Sequence, residues 1–543
     1  MATQDTLPEE PRRQPGGAPR SQFLLILVVT YVCFFNGLTA FGLVGPDEPR
    51  YASIARDMAA GDDWVTPRLH GDPWLEKPIL YYWVAAVGYR MFGDGELAAR
   101  LPSTLGALTT LFALSWVGWR FYGLTTAVLF ALIFPSSIAV LTFARAATPD
   151  MLFTSTLALS LAAAMPLILT HPLRAATAYQ IGFGAALGLA VLAKGPAGVV
   201  LAGAGTVIGA LLARRGARVW RLAGPWSLAS FAVVAVPWYV LCALRNPEFI
   251  QIFLISHNVE RFLTPVFQHE QPFWFFGPVL LLGLAPWTAA IVAGARGAAA
   301  RLTGRAWAGS PSLFLAGWVL FPVVFFSLSR SKLPGYVLPA VPAAAMLLAH
   351  TLAITFGQRA ARALGLGTAA ALGAMAVTFL VAPGVESAGV EGGAVRPLAI
   401  VLGVAAIVAG YLGNRGQLRA AVATSALGVA LTLWQLNAMV LPALDPMIST
   451  RTAARDAAAQ ADGAPVQAYA LHRAWHYGLE YYLGRPVPEW TREDPGGSVV
   501  LTTDRGMRAM QVYGANLVVL SHVSDDAVLV RTGQPDERPM RFP

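Results

Sequence analysis

The chain has 543 residues, of which 56% are hydrophobic and only 13% are charged, and its mean hydropathy is +0.55. Soluble globular proteins carry about 25% charged residues, so this composition excludes a water-soluble fold and predicts a protein embedded in lipid. The two cysteines, Cys33 and Cys242, lie inside apolar segments, which argues against disulfides and thiolate metal sites. The formal net charge is +9, a basic balance that must be explained by topology or by an anionic partner.

Residues 1–22 are polar and rich in Pro and Gly, and we interpret them as a disordered cytoplasmic N-terminus. We see no cleavable signal before the first apolar run, and we therefore interpret that run as a signal anchor. A membrane-spanning helix needs about 20 largely apolar residues. This criterion predicts thirteen spans, at residues 23–44, 101–119, 124–143, 150–170, 177–194, 196–213, 224–244, 273–294, 311–329, 335–355, 363–383, 397–412 and 420–441.

The arginines indicate how these spans are oriented. With the N-terminus in the cytoplasm, the short inner loops are rich in arginine, as in Arg214, Arg215 and Arg218, and contain almost no acidic residues. Much of the basic excess is therefore a topology signal, and no nucleic-acid partner is expected. An odd number of spans places the C-terminal tail on the outer side of the membrane.

Three outer segments stand apart from the spans. Residues 45–100 form a loop with two helical patterns, Asp47 to Ala60 and Pro78 to Phe92, which we interpret as interfacial helices. Residues 245–272 form a second polar loop. The tail, 442–543, alternates helical segments with β-rich runs and predicts a small α/β domain on the outer side. The expected fold is thus an all-α polytopic membrane domain, 23–441, followed by that domain, and no internal repeat is visible.

Ionisable residues at membrane depth are costly, so each one is a candidate site residue. They concentrate at the outer ends of the spans, in five motifs: Gly45-Pro-Asp-Glu-Pro-Arg-Tyr51, Leu75-Glu-Lys-Pro78, Arg145-Ala-Ala-Thr-Pro-Asp150, Ala193-Lys-Gly195 and Ser329-Arg-Ser-Lys-Leu-Pro-Gly-Tyr336. Structural roles are open for each. Asp47 or Glu48 could cap the N-terminus of a helix, and Asp150 could interact with the positive end of a helix dipole. Lys194 could extend its ammonium to the membrane surface, with Gly195 as the C-cap of the helix.

Lysine usage favours a functional interpretation. The chain has only three lysines, Lys77, Lys194 and Lys332, and all three fall in outer segments near the membrane. An ammonium is a compact point charge that suits a single phosphate oxygen. An outer pocket with three lysines is what a lipid-linked phosphate would need.

The loop 245–272 raises the possibility of a metal site. His257 and His269, with Glu76 from the first outer loop, could hold a divalent ion such as zinc. Loop histidines without close spacing are more often ordinary polar groups, so no cofactor is required. Signatures of phosphate-binding loops, dinucleotide folds, zinc proteases or serine nucleophiles do not stand out, and a nucleotide-sugar donor has no evident binding motif.

Several of these motifs recur in matching order from the first span to the tenth. They are Asp47-Glu-Pro-Arg-Tyr, Glu76-Lys-Pro-Ile with Tyr82-Trp83, Asp150, Lys194-Gly, Val236-Pro-Trp, His257 with Arg261-Phe, His269 with Pro272-Phe-Trp, and Lys332-Leu-Pro-Gly-Tyr. In this arrangement the chain resembles the bacterial undecaprenyl phosphate-aminoarabinose:lipid A aminoarabinose transferase family. The tail beyond residue 441 resembles that family only in length and placement.

The resemblance implies the C-type integral membrane glycosyltransferase fold. It also implies transfer of 4-amino-4-deoxy-L-arabinose from undecaprenyl phosphate to a lipid A phosphate, a modification that confers resistance to polymyxin-type peptides. Three residues are then expected to be catalytic: Asp47, Asp150 and Lys77. The expected donor-binding residues are Arg50, Tyr51, Tyr82, Lys194, Arg261, Lys332 and Tyr336, and a monomer is expected.

Two other interpretations are open. A protein O-mannosyltransferase or a lipopolysaccharide-core sugar transferase would use the same class of donor but attack it with a hydroxyl group. A lipid or sugar transporter would perform no chemistry, although transporters usually place polar groups at mid-membrane, whereas here they crowd one face.

Overall fold

The fold is described from a computed structural model covering residues 20–170, 174–260, 270–289, 291, 308–355, 358–381, 392–524 and 527–533. Most of the segment 1–22 thus lies outside the described residues. The helices of the membrane part are α1 (Arg20–Phe34), α2 (Asp47–Ala60), α3 (Leu80–Phe92), α4 (Glu96–Tyr122), α5 (Leu124–Ile133), α6 (Ile138–Phe143), α7 (Pro149–Leu169), α8 (Ala176–Lys194), α9 (Ala197–Leu212), α10 (Pro225–Arg245), α11 (Phe276–Gly283), α12 (Pro311–Leu328), α13 (Val341–Ala353), α14 (Gln358–Val381), α15 (Gly392–Asn414), α16 (Leu418–Gln435) and α17 (Leu441–Ile448). Shorter helical turns of the 3₁₀ type span Gly216–Ala223 and Pro334–Ala340, and π-helical turns span Ile250–Glu260 and Leu436–Val440.

Within the described ranges, nine helices are long and apolar enough to cross a membrane. They coincide with nine of the predicted spans, so the multi-pass architecture is confirmed. The other four predicted spans correspond to shorter apolar helices, α1, α5, α9 and α11. Part of the predicted span 273–294 lies outside the described residues. The total of thirteen spans therefore stays a prediction.

Helix α7 is the centre of the membrane domain. Almost all of its side chains are buried, because it packs between α4, α8 and α9. Small residues such as Ala162, Ala163 and Ala164 allow these neighbours to approach closely, the usual way that membrane helices associate without a hydrophobic driving force. The first turn of this central helix carries Asp150, so the packing of α7 fixes the position of that carboxylate.

Helices α2 and α3 occupy the predicted outer loop. Helix α2 has the predicted bounds, and its buried face contains Tyr51, Ile54, Ala55 and Met58, as the helical spacing predicts. It does not lie loosely on a surface, because it is wedged against α3, α4 and a helix of the C-terminal domain. The capping hypothesis for its first turn is wrong: Pro46 precedes the helix and no side chain caps it.

The C-terminal part is a small α/β domain, as predicted. It contains α18 (Arg451–Ala461), β3 (Val466–Tyr469), α19 (Arg473–Leu483), β4 (Val499–Thr503), α20 (Asp504–Val512), β5 (Leu517–Ser524) and β6 (Ala527–Thr532), after a two-residue pair, β1 (Arg68–Leu69) and β2 (Asp72–Pro73), in the outer loop. The sheet order is β3-β4-β6-β5. Strands β3 and β4 are parallel, and the other pairs are antiparallel. Helix α19 is the crossover between the parallel strands, and its position brings it against α2.

Candidate functional site

A cavity of about 790 Å³ opens where α2, α7, α8 and α19 meet the loop between α12 and α13. It collects residues from widely separated parts of the sequence. Nine of the thirteen predicted site residues line it: Asp47, Arg50, Tyr51, Glu76, Lys77, Asp150, Lys194, His257 and Tyr336. Three carboxylates and three cations of this set therefore share one chamber.

A buried ion pair holds two sides of the cavity together. The Glu48 carboxylate accepts a hydrogen bond from Arg100 Nη2 at 2.9 Å, and it also accepts from the backbone N–H groups of Val44 at 2.9 Å and Ala147 at 2.7 Å. The last bond connects the start of α2 to the loop before α7. Glu48 thus positions its neighbour Asp47 relative to Asp150, while pointing away from the cavity itself.

The turn into α2 depends on a glycine. Gly45 has a φ of +67°, a conformation that L side chains rarely adopt, and the chain there reverses from α1 into α2. The Arg100 guanidinium secures the same turn, because it donates to the carbonyl oxygens of Leu38, Phe41 and Gly42. The backbone that presents Asp47 is therefore fixed by a fully buried cation.

Arg50 and Asp47 form the first charged pair in the cavity. Arg50 Nη2 lies 2.5 Å from Asp47 Oδ1, and its guanidinium faces the rings of Trp74 and Tyr477 at 4.9 and 5.7 Å. The Asp47 side chain is 52% exposed, so it reaches toward the open volume. Burial, together with the nearby Asp47 carboxylate, raises the pKa of Tyr51 well above its ordinary value, and the phenol stays protonated as a hydrogen-bond donor.

Lys194 and Asp150 form the second charged pair. Lys194 Nζ lies 2.5 Å from Asp150 Oδ1, and the same ammonium faces the rings of Phe153 and Tyr336. Gly195 ends α8 with a φ of +73°, as the C-cap hypothesis predicts. The lysine therefore does more than snorkel, because its charge is paired across two helices inside the cavity.

Lys77, Glu76 and His257 line the remaining charged part of the wall. His257 Nε2 lies 3.8 Å from Glu76 Oε1, so two of the three predicted metal ligands are neighbours. The third, His269, is outside the described residues. Within the part of the chain that the structure describes, no group of three His, Cys, Asp or Glu residues is arranged to hold a metal ion. The metal site stays a prediction.

Two predicted residues lie beside the cavity without lining it. Tyr82 is buried behind Tyr51, with the ring centroids 6.1 Å apart, and Lys332 is buried in the loop between Ser331 and Leu333, both of which reach the cavity. Arg261 lies outside the described residues, as does His269.

Sequence reasoning missed three contributors. Arg473, the first residue of α19, lines the cavity, while Tyr477 and Trp74 face Arg50. The signal was a basic residue followed by the aromatic residues Trp475 and Tyr477, at the start of a helix in the tail. Such a cluster is common in soluble domains and does not stand out there.

Comparison with known proteins gives a consistent result. The profile of the dolichyl-phosphate-mannose-protein mannosyltransferase family matches residues 21–253. A protein from Edwardsiella ictaluri named undecaprenyl phosphate-alpha-4-amino-4-deoxy-L-arabinose arabinosyl transferase is 31% identical over 347 residues, which cover 62% of this chain and 61% of the relative. A relative of the same name from Pseudomonas aeruginosa (strain PAO1) is 33% identical over 346 residues, covering 61% of this chain and 60% of the relative. The chain thus spans less than two thirds of the length of these curated relatives.

The solved structures extend the comparison over nearly the whole fold. The crystal structure of ArnT from Cupriavidus metallidurans bound to undecaprenyl phosphate has a TM-score of 0.79 and 25% identity, covering 94% of this chain and 98% of that protein. The apo structure of the same protein gives a TM-score of 0.77. The resemblance predicted from the motifs is confirmed: the chain has the C-type glycosyltransferase fold and is similar to the bacterial undecaprenyl phosphate-aminoarabinose transferases.

Proposed function

We propose that this protein transfers 4-amino-4-deoxy-L-arabinose from undecaprenyl phosphate to a phosphate of lipid A. The observation that carries the proposal is the single cavity in which Lys77, Arg50 and Lys194 lie with Asp47 and Asp150. It is supported by the similar structure from Cupriavidus metallidurans, which was solved with undecaprenyl phosphate bound. The apolar part of the wall, including Phe153, Leu254 and Phe326, suits the start of an isoprenoid chain.

The reaction replaces one phosphate by another at the anomeric carbon. A lipid A phosphate oxygen forms a bond to that carbon, the bond to the donor phosphate breaks, and its electron pair leaves with undecaprenyl phosphate. Negative charge therefore grows on the donor phosphate in the transition state. A preorganised cation at that position contributes about 3–4 kcal/mol. We assign this role first to Lys77, supported by Lys194 and Arg50, while Arg261 and Lys332 stay predicted contributors.

The carboxylates have a different role. A phosphate acceptor is already an anionic nucleophile, so positioning contributes more than deprotonation does. Asp47 is exposed to the cavity and suits the protonated amine of the sugar. Asp150 is held by Lys194 and suits a fixed hydrogen-bond acceptor for the sugar ring. Tyr51, which stays protonated, is a donor available to the sugar or the phosphate.

The proposal requires no metal. Glu76 and His257 are close enough to share an ion, and His269 is the predicted third ligand, so zinc is a further part of the hypothesis. Bound there, a zinc ion would add positive charge beside Lys77. The activity assays below are to be run with and without a chelator, and a loss of activity that zinc restores would support this part.

The protein is a multi-pass membrane protein, and we propose that it resides in the bacterial inner membrane as a monomer. The proposed orientation places the N-terminus in the cytoplasm, with the cavity and the C-terminal domain in the periplasm. The arginine-rich inner loops support this orientation. Labelling of single cysteines introduced at exposed positions such as Arg508 in intact cells would test it, because only periplasmic thiols react with an impermeant reagent.

A second candidate is transfer to a hydroxyl group, as in a protein O-mannosyltransferase or a lipopolysaccharide-core sugar transferase. The observation that favours it is the match of residues 21–253 to the mannosyltransferase family profile. A hydroxyl acceptor would require a general base, and Asp47 and Asp150 are the carboxylates in reach of the cavity. This mechanism therefore predicts a much stronger dependence on the aspartates.

The deciding experiment is mass spectrometry of lipid A from bacteria with and without this protein. We expect a lipid A species heavier by one aminopentose only when the protein is present. The Lys77→Ala variant, produced at the same level, should give much less of that species, in line with the loss of kcat expected for removing this cation. Absence of the aminopentose species with the wild-type protein, in cells that make the donor, would overturn the assignment of the acceptor.

A further inference from the structure

Helix α19 brings the C-terminal domain into the cavity. Arg473 is its first residue and lines the cavity, and Tyr477, one turn later, faces Arg50 with its ring 5.7 Å from the guanidinium carbon. Residues four apart share one face of a helix, so Arg473 and Tyr477 form a single edge of α19 directed toward the site. The extramembrane domain therefore supplies part of the wall.

This edge is held in place by the membrane domain. Arg56 Nη1 donates to the backbone oxygen of Tyr481 at 2.7 Å, and the Tyr89 and Tyr481 hydroxyls are 3.0 Å apart. Tyr482 donates to Glu96 at 2.8 Å and accepts from the backbone N–H of Leu43 at 2.8 Å. These contacts fix α19 along its C-terminal half, so the position of Arg473 is set by the fold rather than by a free domain.

The electrostatic state of Arg473 differs from that of its neighbours. Arg50 is paired with Asp47, and Lys194 is paired with Asp150. Within the described ranges, no hydrogen bond or ion pair joins the Arg473 side chain to another protein group, and the side chain is exposed. Its planar fork is therefore available for bidentate binding of a phosphate.

The walls of the cavity come from two parts of the chain, and each part offers its own position for a phosphate group. The apolar residues that suit an isoprenoid chain, such as Phe153 and Phe326, come from membrane helices. Lys194 ends the membrane helix α8, and Lys77 lies in the loop before α3. Arg473 comes from the domain outside the membrane part. A glycolipid acceptor that enters from the side of this domain brings its phosphorylated headgroup to Arg473 first.

We propose that Arg473 binds the phosphate of the acceptor glycolipid, so that the C-terminal domain forms the acceptor side of the site. The inference rests on the proposed function, because it assumes a phosphate-bearing acceptor. It distinguishes two groups of cations: Lys77 and its neighbours hold the donor phosphate, and Arg473 selects the acceptor phosphate. Arg473 is then a specificity residue that acts on acceptor binding.

The first test is equilibrium binding in lipid nanodiscs, which needs no turnover. The ligands are lipid A with its phosphates, dephosphorylated lipid A, and undecaprenyl phosphate. For Arg473→Ala we expect about tenfold weaker binding of phosphorylated lipid A, as loss of a charge-assisted contact implies. Binding of dephosphorylated lipid A and of undecaprenyl phosphate should be unchanged. Arg473→Lys should recover part of the affinity, because it restores the charge without the fork.

The matched control is Arg508→Ala, which removes an exposed arginine of the same domain that does not line the cavity. In steady-state assays, Arg473→Ala should raise the acceptor KM about tenfold, with kcat and the donor KM within about twofold of wild type. Equal loss in Arg473→Ala and Arg508→Ala would overturn the inference, as would unchanged lipid A binding or a raised donor KM in Arg473→Ala. Wild-type protein that binds lipid A through Arg473 but transfers no aminopentose would instead contradict the proposed function alone.

Discussion

Two groups of ionised residues lie close together in this protein, and they differ in how completely they are satisfied. Around Arg100, the guanidinium has no exposed surface and contacts three backbone oxygens and the Glu48 carboxylate. Around the cavity, Lys194 and Asp150 form one pair whose side chains are about one-fifth exposed to open volume. Both groups lie near the ends of membrane helices, where the sequence alone marks every charge as a candidate.

One criterion, how far protein groups occupy the hydrogen-bonding capacity of a charge, distinguishes structural charges from functional ones. A buried ion is tolerated when fixed protein groups occupy most of its hydrogen-bonding capacity. Arg100 meets this condition without a ligand at both Nη atoms, which make four hydrogen bonds to protein oxygens, while its buried Nε has no partner in the described residues. The cavity charges keep capacity that faces the open volume, and a phosphate or a sugar amine can use it. We therefore assign the Arg100 group to the architecture of the α1–α2 turn and the cavity group to binding and chemistry.

The largest effect is expected from a substitution in the structural group around Arg100. Arg100→Met removes the cation paired with the buried Glu48 carboxylate and leaves three backbone oxygens without their donor. Loss of one partner of a buried pair costs about 3–5 kcal/mol of stability. We expect a much lower yield of folded protein and a lower thermal unfolding midpoint in detergent. Arg508→Ala is the control. A stability equal to wild type for Arg100→Met would remove the distinction between the two groups.

The second effect concerns the cavity. Lys77→Ala should lower kcat by about 10²–10³-fold, because it removes the cation assigned to the leaving phosphate. The half-buried side chain contributes little to packing, so the unfolding midpoint should stay close to that of wild type. Lys77→Arg should restore only part of the rate, since the guanidinium fork replaces a point charge. The rates of both variants are measured by the transfer of radiolabelled sugar from a polyprenyl-phosphate donor. A large loss of stability in Lys77→Ala would place this lysine in the structural group.

The third prediction separates positioning from proton transfer. Asp150→Asn keeps the shape of the side chain but removes the partner charge of Lys194. With a phosphate acceptor we expect at most about a tenfold loss in kcat, since no deprotonation is needed. With a hydroxyl acceptor, loss of a general base should cost about 10²–10⁴-fold. The same transfer assay on both acceptor types decides, and a loss of more than about 10³-fold on lipid A would favour Asp150 as a base.

The sequence predicts the cavity residues well because polar residues contrast with an apolar chain. Asp47, Lys77, Asp150 and Lys194 follow this rule, and all four line one cavity. The bounds of α2 could also be predicted, because a Pro-containing acidic first turn precedes an amphipathic stretch. Neither observation depends on which elements meet in space.

Residues that depend on distant contacts could not be predicted. Arg100 is 52 positions from its partner Glu48, and nothing in the local pattern indicates that pairing. Asp47 and Glu48 are adjacent in sequence, yet a helical turn directs one to the cavity and the other into the protein. Arg473 belongs to a domain of ordinary polar composition, in which an arginine does not stand out. Only the packing of α19 against α2 shows that Arg473 lines the cavity.

The smallest effect is expected for a third charged group, around Glu480, whose members are partly buried. Glu480 of α19 lies 3.1 Å from His70 Nε2 and 3.4 Å from His476 Nε2, so it joins the C-terminal domain to the β1–β2 turn. The hydrogen bond to Glu480 raises the pKa of His476, with smaller support from Glu489, against burial. Burial opposes the shift of Glu480, but the His476 hydrogen bond and the His70 charge lower its pKa.

The two shifts define a window of pH. The raised pKa of His476 adds stability below the ordinary histidine pKa, and this part is lost as pH rises through the raised value. The lowered pKa of Glu480 adds stability above the ordinary carboxyl pKa, and this part is lost as pH falls through the lowered value. The C-terminal domain should therefore be held most firmly at mildly acidic pH, by about 1 kcal/mol or less for such partly exposed groups. Hydrogen exchange of α19 should show its greatest protection there, and His476→Gln should flatten the alkaline side of the profile. A profile that is identical in wild type and His476→Gln would show that this group, unlike the Arg100 group, contributes nothing measurable to the docking of α19.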